Sequence, residues 1–257
     1  VGKVSRERIR EIAEVKMISD QNRIMLKRGS SDCAHRPGVD AGGTANRPRR
    51  EGKVNMPRLL VDISAHGLGH LAQTAPVVEA IRALAPTLHL TIRSAIPRGQ
   101  LARRIAGDFA HVPEARDFGF VMHNAVDIDL AASAARYREF HADWPRRIAT
   151  EADWLGKHQI DALLSNVAYL PLAAAAQAGI PAAGLCSLNW ADLFSHYFGA
   201  APWATEIHAQ MLAAYSAAQA FLCLTPGLPM TWLQRRHELG PIARTGRRDR
   251  RRIANLL

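Results

Sequence analysis

The sequence predicts an α/β fold: a Rossmann-like, doubly wound parallel sheet. Three observations carry that expectation. From Arg58 onward, short apolar runs alternate with amphipathic helical patterns. The first run ends in the loop Ser64-Ala65-His66-Gly67-Leu68-Gly69-His70, which opens straight into a helical pattern. No Asp, Glu, Lys or Arg occurs between Asp161 and Asp192, as expected of elements buried in the middle of a sheet covered on both faces.

Each element follows from its own pattern. Leu59, Leu60, Val61 and Ile63 form an apolar run suited to a strand buried on both faces. Gly67 and Gly69 then permit backbone angles and close approaches that a side chain would forbid. The helix that follows places Leu71, Ala75, Val78, Ile81, Leu84 and Ala85 on one face, with Pro76 in its first turn if Thr74 is the cap. Residues 88–92 read as a second strand, 97–106 as a short basic helix and 109–112 as a third strand. Residues 118–128 read as an irregular loop that carries Met122, His123 and Asn124. A long helical pattern runs from Asp129 to Leu155, and Pro145 either kinks it or starts a second helix capped by Asp143.

The uncharged block is too interrupted for a membrane span. Ser165, Asn166, Pro171, Gly179 and Pro181 divide it into a strand at 162–164, a helix at 169–178 and a strand at 182–186. A helix at 205–219, a strand at 220–224, a turn at Thr225-Pro226-Gly227 and a last strand at 241–243 complete a sheet of six or seven strands.

Charge at first points to nucleic acid, with 33 basic against 23 acidic residues and a net charge of +10. The excess sits at the ends, in residues 1–55 and in the Arg-rich stretch 244–257, and the body between is near neutral. A basic nucleic-acid face is therefore not expected. Residues 28–55 are polar and rich in Gly and Pro, so residues 1–55 are expected to be a disordered or weakly helical extension, with Met56 as the natural start. Acidic residues in that extension argue against a transit peptide, and no secretory apolar region is present. Cys33, Cys186 and Cys223 are odd in number and scattered, which argues for free thiols in a reducing, cytoplasmic setting.

The glycine loop meets neither the dinucleotide fingerprint nor the P-loop pattern. A metal is not expected, because two glycines between His66 and His70 argue against a helix presenting both rings on one face. No cofactor is expected either. In an open parallel sheet, ligands sit beyond the carboxyl ends of the strands. There the histidine loop joins Ser165-Asn166 and the stretch Ser187-Leu188-Asn189-Trp190-Ala191-Asp192. Asn166, Asn189 and Asp192 offer hydrogen-bonding groups, and Trp190 or Tyr197 offers a ring to stack on a ligand. Taken singly, Asn166 and Asn189 suit turns equally well and Trp190 suits the core.

The stretch Asp62-Ile63-Ser64-Ala65-His66-Gly67-Leu68-Gly69-His70, with Leu164-Ser165-Asn166, Ala178-Gly179-Ile180-Pro181 and Asn189-Trp190-Ala191-Asp192, resembles the N-terminal half of GT-B glycosyltransferases. It resembles in particular bacterial glycosyltransferase-like proteins with an H-G-x-G-H loop, and the N-terminal domain of arabinokinase-type sugar kinases. The resemblance covers residues 56–246. It implies one GT-B half, a Rossmann-like acceptor-side domain over 56–243, with 244–257 starting the interdomain linker. It implies a transferase that moves a sugar from a nucleotide-sugar donor to the hydroxyl of a small-molecule, lipid or glycan acceptor. The C-terminal GT-B domain that holds most of the donor would be missing, leaving this chain inactive alone.

The implied catalytic residues are His70 as general base, His66 as second candidate and Asp192 acting on either. Gly67, Gly69, Asn166, Asn189 and Trp190 are the implied substrate-binding residues. One departure from the pattern stands out. Where related plant enzymes orient the histidine with an aspartate, this sequence has Asn166, which cannot stabilise an imidazolium by charge. The alternative is a non-catalytic module that binds a sugar or nucleotide, as in the N-terminal domain of an arabinokinase-like protein.

Overall fold

Residues 56–242 are described by the structure, a computed structural model. The expected extension over 1–55 and the Arg-rich segment over 244–257 lie outside the described residues. In chain order the elements are β1 (Arg58–Ile63), α1 (Leu68–Leu84), β2 (His89–Arg93), α2 (Arg98–Ala102), β3 (Ala110–Val112), α3 (Leu130–His141) and α4 (Trp144–Lys157). They continue as β4 (Ala162–Asn166), α5 (Leu170–Gln177), β5 (Ala182–Cys186), α6 (Trp190–Phe198), α7 (Ala204–Ser216), β6 (Ala220–Leu224) and β7 (Arg236–Leu239).

All seven strands pair in parallel, in the order β3-β2-β1-β4-β5-β6-β7. The chain winds outward from β1 through β2 and β3, then returns to β4 and winds the other way. The crevice where the winding reverses therefore lies between the carboxyl ends of β1 and β4. This is the Rossmann-like doubly wound sheet expected from the alternation.

Strand parity sorts the core into two layers. Leu59, Val61 and Ile63 face a layer built with Leu71, Ala75 and Val78 of α1 and Leu101 of α2. Leu60 belongs to the opposite layer, with Tyr137 of α3, Leu155 of α4, Leu172 of α5, Phe194 of α6 and Met211 of α7. The caps explain where the helices begin on that side. Asp129 accepts from Ala132 N–H at 2.8 Å and starts α3. Asp143 accepts from Arg146 N–H at 3.4 Å, and with Pro145 in the first turn the expected long pattern becomes two helices.

Four expectations are corrected. Helix α1 begins at Leu68, not after Thr74, so Pro76 lies inside it. Thr74 is no cap: its hydroxyl donates back to the His70 carbonyl at 2.8 Å. The proline is tolerated because the turns around it are anchored on the sheet by Leu71, Ala75 and Val78. Helix α2 ends at Ala102, shorter than the expected 97–106, and Gly107 follows at a φ of +74°. The last strand is Arg236–Leu239 rather than 241–243. It lies at the sheet edge with one neighbour and two exposed polar residues, so its sequence lacks the apolar run of a central strand. Finally, a helix not expected from the pattern, α6, begins at Trp190 within the stretch 187–192 placed after β5, because Asn189 caps it at the Asp192 N–H, 2.7 Å away.

Polar groups buried in the α3–α4 layer are organised. His141 is 6% exposed, with Nδ1 2.6 Å from Gln210 Oε1 and Nε2 2.9 Å from the Tyr169 hydroxyl. Gln210 donates its amide N–H to Glu206, so its oxygen faces the ring. Nδ1–H therefore donates to Gln210, and Nε2 accepts from Tyr169. Burial, opposed by the Gln210 hydrogen bond and helped by the Arg147 charge, pushes the imidazole down to about 4. The unfolded chain takes up a proton near pH 6.5 and the native one does not, so stability is lost as pH falls from 6.5 toward 4, by on the order of 3 kcal/mol in full. His141→Gln is expected to flatten this part of the stability curve in urea melts at pH 7.5 and 5. An unchanged slope refutes the assignment.

A second buried group crosses the sheet. Arg93, fully buried at the end of β2, places Nε 2.5 Å from Asp62 Oδ2 of β1 and Nη2 2.5 Å from Glu151 Oε1 of α4. Its guanidinium lies over the Trp154 ring, 4.6 Å from the centroid. Arg116 extends the chain of charges outward from Glu151 to Glu114.

Candidate functional site

The site begins where β1 and β4 run out side by side. Ile63 pairs with Asn166, and the next N–H, from Ser64, donates to the Asn166 carbonyl at 2.8 Å. The Asn166 side chain is therefore held at the crevice, fully buried, facing the start of α1. His70 is the third residue of that helix and is 8% exposed. Its Nδ1 lies 2.8 Å from Asn166 Oδ1.

The surrounding hydrogen bonds decide the tautomer. Asn166 Nδ2 donates to Thr74 Oγ1 at 2.8 Å and to the His70 carbonyl at 3.3 Å. The Thr74 proton is already committed to that same carbonyl. Turning the amide over would set its oxygen against the His70 carbonyl oxygen, so Oδ1 must face the ring. Nδ1 then carries the hydrogen, and Nε2 keeps its lone pair. The ring's hydrogen-bond contacts among the described residues, to Asn166 and to the Cys186 sulfur, are both made at Nδ1 and none at Nε2. Burial lowers the His70 pKa, with the Asn166 bond opposing it in part. The positive end of α1 works in the same direction as burial.

His66 stands beside it, half-buried. Its ring meets Trp190 edge-on, with centroids 5.2 Å apart, and Trp190 lies 5.9 Å from His70 by the same measure. Burial lowers the His66 pKa, the nearby His70 lowers it further, and a hydrogen bond to the Phe118 backbone opposes both. Trp190 is 2% exposed, so it is a wall for the two histidines rather than an open stacking plate. Its indole N–H donates to Asp117 Oδ2 at 2.7 Å. The sealed Asp117 carboxyl is pushed up to about 6 by burial, against hydrogen bonds from Trp190, Ser64 and its own backbone.

Asn189 and Asp192 turn to each other. Asn189 Nδ2 donates to Asp192 Oδ2 at 2.7 Å, and the other Asp192 oxygen accepts from the Trp232 indole at 2.8 Å. No hydrogen bond or ion pair joins Asp192 to either histidine among the described residues. Tyr197 is 41% exposed and meets Phe120 edge-on at 5.4 Å. His123 lies in the 118–128 loop, 57% exposed and 3.8 Å from Asp129.

The two loop glycines behave differently from expectation. Gly67 has an extended φ of 172°, and a Cβ on Gly67 or Gly69 would meet nothing within 4 Å. Neither is required by backbone angle or packing. They leave bare backbone at a helix start that has no side-chain cap and no acidic residue in its first turn. The glycine the site does require is Gly119, at a φ of +59°, where a Cβ would come within 2.9 Å of both the His66 ring and Trp190. Gly119 and Asp117 went unnoticed in the sequence because each is a single residue in an irregular stretch. Gln73, one turn on from His70, carried no distinct signal, because polar residues such as Thr74, Glu79 and Arg82 recur along α1.

Among the described residues, no group of three or more His, Cys, Asp or Glu is arranged to hold a metal ion. No described helix is long and apolar enough to cross a membrane.

Fold and site together define a Rossmann-like domain with a histidine loop at the winding switch point. No protein-family model matches the chain. It is similar to the L-arabinokinase of Arabidopsis thaliana, at 28% identity over 169 residues, covering 64% of this chain and 16% of the plant protein. Among solved structures it is similar to a Polygonum tinctorium UDP-glucosyltransferase capable of glucosylating indoxyl, at 15% identity and a TM-score of 0.46, over 76% of this chain and 55% of that one. It is also similar to Phytolacca americana UGT2, at 14% identity and a TM-score of 0.43, over 74% and 55% of the two chains. For MurG of Acinetobacter baumannii the values are 12% and 0.38, over 74% and 47%. The chain thus spans about half the length of these glycosyltransferases and a small part of the kinase.

Proposed function

We propose that this chain is the acceptor-side half of a glycosyltransferase, in which His70 removes a proton from an acceptor hydroxyl as that oxygen attacks the anomeric carbon of a nucleotide sugar. The observation that carries the reading is the His70–Asn166 pair. Its hydrogen bonds leave Nε2 as an unprotonated acceptor beside the crevice between β1 and β4, and burial keeps the ring neutral near pH 7. The bare Gly67–Gly69 backbone offers room for a ligand to approach, and His66 is the second base candidate. A nucleotide-sugar donor is held mainly by a second, C-terminal half, as the resemblance implies. Asn189 and Asp192 support the site by fixing the start of α6 and hence Trp190.

One observation favours a second reading, a sugar- or nucleotide-binding module without turnover. Asn166 offers His70 a neutral carbonyl, and an amide does less than a carboxylate to stabilise the imidazolium that forms when the proton is taken.

Asn166→Asp separates the two. A carboxylate at that distance should raise the His70 pKa from below 6.5 to above it, read from the histidine Hε1 resonance in an NMR titration. In a transferase, sugar transfer by the protein joined to its donor half should then change by about tenfold or more, with its pH profile shifted upward. A pKa that moves without any transfer in either protein leaves the binding module. A pKa that stays put refutes the pairing itself.

A further inference from the structure

Beside His70 is a second polar group that the general-base reading does not use. Gln73 lies one helical turn after His70 on α1, half-buried. Its Nε2 donates to Ser187 Oγ at 2.9 Å, just past the end of β5. The thiol of Cys186, fully buried, donates to Gln73 Oε1 at 3.5 Å and lies 3.8 Å from His70 Nδ1.

These contacts fix the amide. His70 Nδ1–H is committed to Asn166, so that nitrogen cannot accept the thiol proton. Burial holds Cys186 as a thiol, pushing its pKa up to about 11, and the S–H therefore finds Gln73 Oε1. The amide nitrogen is left facing Ser187. One further amide N–H, the Ser187 hydroxyl, which also faces the Cys186 sulfur, and spare oxygen lone pairs remain half-buried beside the histidine, and none of these three side chains carries a charge.

Resting on the acceptor-side reading above, we propose that Gln73 and Ser187 form a hydroxyl-reading clamp, so the molecule presented to His70 is a sugar or polyol rather than a lone aromatic or aliphatic alcohol. The chemistry is that of matched donors and acceptors. A neighbouring hydroxyl both gives and takes a hydrogen bond, which is what an amide and a hydroxyl side by side offer. An anion would use donors alone. An apolar body laid over the pair would strip water from both groups and leave them unpaired, and sites built this way reject analogues that lack the hydroxyl.

The test uses the whole chain, with the His70 Hε1 resonance as reporter. The probes are D-galactose and myo-inositol against phenol and cyclohexanol, each titrated to about 100 mM, a range suited to millimolar affinity. Galactose and inositol are expected to shift the resonance, and Gln73→Met and Ser187→Ala each to weaken that binding by about tenfold. Ser187→Thr, which keeps the hydroxyl, should restore it. Phenol and cyclohexanol should bind more weakly and be indifferent to all three changes. An unaltered spectrum of remote residues in Ser187→Ala separates lost recognition from a damaged fold. Polyol binding that survives Gln73→Met, absent polyol binding in the unsubstituted chain, or a preference for phenol each overturns the clamp. These titrations need neither donor nor turnover. Failure of transfer by the joined protein would remove the catalytic reading and leave the clamp standing, whereas transfer with an unchanged acceptor KM in Gln73→Met would remove the clamp alone.

Discussion

Replacing His70 by alanine, in the chain joined to a donor-binding half, is expected to lower kcat by roughly 10² to 10⁴ while leaving donor affinity almost unchanged. The loss is that of a positioned base, and on the proposed division of labour the donor is held elsewhere. His70 is suited to the role because both sides of its ring are accounted for. Nδ1 is tied to Asn166 at 2.8 Å, and no hydrogen bond among the described residues is made at Nε2. Its pKa is held below the ordinary 6.5 by burial, so transfer should persist at pH values where an exposed histidine would already be protonated. Steady-state kinetics with varied donor and acceptor reads both effects. An unchanged kcat would hand the role of base to His66, whose ring shares the Trp190 wall.

The largest expected effect on stability lies at Arg93. Arg93→Met is expected to destabilise the protein by about 3–5 kcal/mol at pH 7.5, because it leaves the Asp62 carboxylate buried without its cation and Glu151 with Arg116 alone. Asp62 is already pushed up to about 6 by burial, against the nearby Arg93 charge. Without the guanidinium its folded pKa rises further. A carboxyl raised in the folded state binds its proton more tightly there than in the unfolded chain. The penalty is therefore complete at high pH and shrinks as pH falls through the raised value. Comparing variant with parent in urea melts at pH 7.5 and 5.5 isolates this, since the histidine contributions are common to both. A deficit that is the same at both pH values would mean lost packing on Trp154 rather than unpaired charge.

The buried Arg93 was not legible in the sequence, and its invisibility is instructive. At the end of an apolar run, an arginine reads as the point where a strand meets solvent. Only the parallel pairing of Asp62 with Arg93 across β1 and β2, and the passage of α4 over that edge, turn it into an interior ion pair. Trp190 is a similar case: its position beyond β5 was readable, but whether its ring faced a ligand or the histidines depended on Gly119, some seventy residues earlier.

What the sequence by itself determined was the order and layering of the fold. Apolar runs such as Leu59–Leu60–Val61 and the uncharged block after Asp161 record burial residue by residue, and burial is a local demand that each side chain must meet wherever the fold puts it. The same alternation placed the histidine loop, Asn166 and the Asn189–Asp192 stretch at one edge, because successive parallel strands must end on the same side. What only the tertiary structure decided was partnership: Asn166 on His70, Gln73 on Ser187, Asp192 on Asn189 and Trp232 rather than on a histidine. Hydrogen-bond partners are chosen over a few ångströms among groups that in these pairs lie as much as 114 residues apart, and the strand register and helix starts that bring them within reach leave no periodic trace in the sequence.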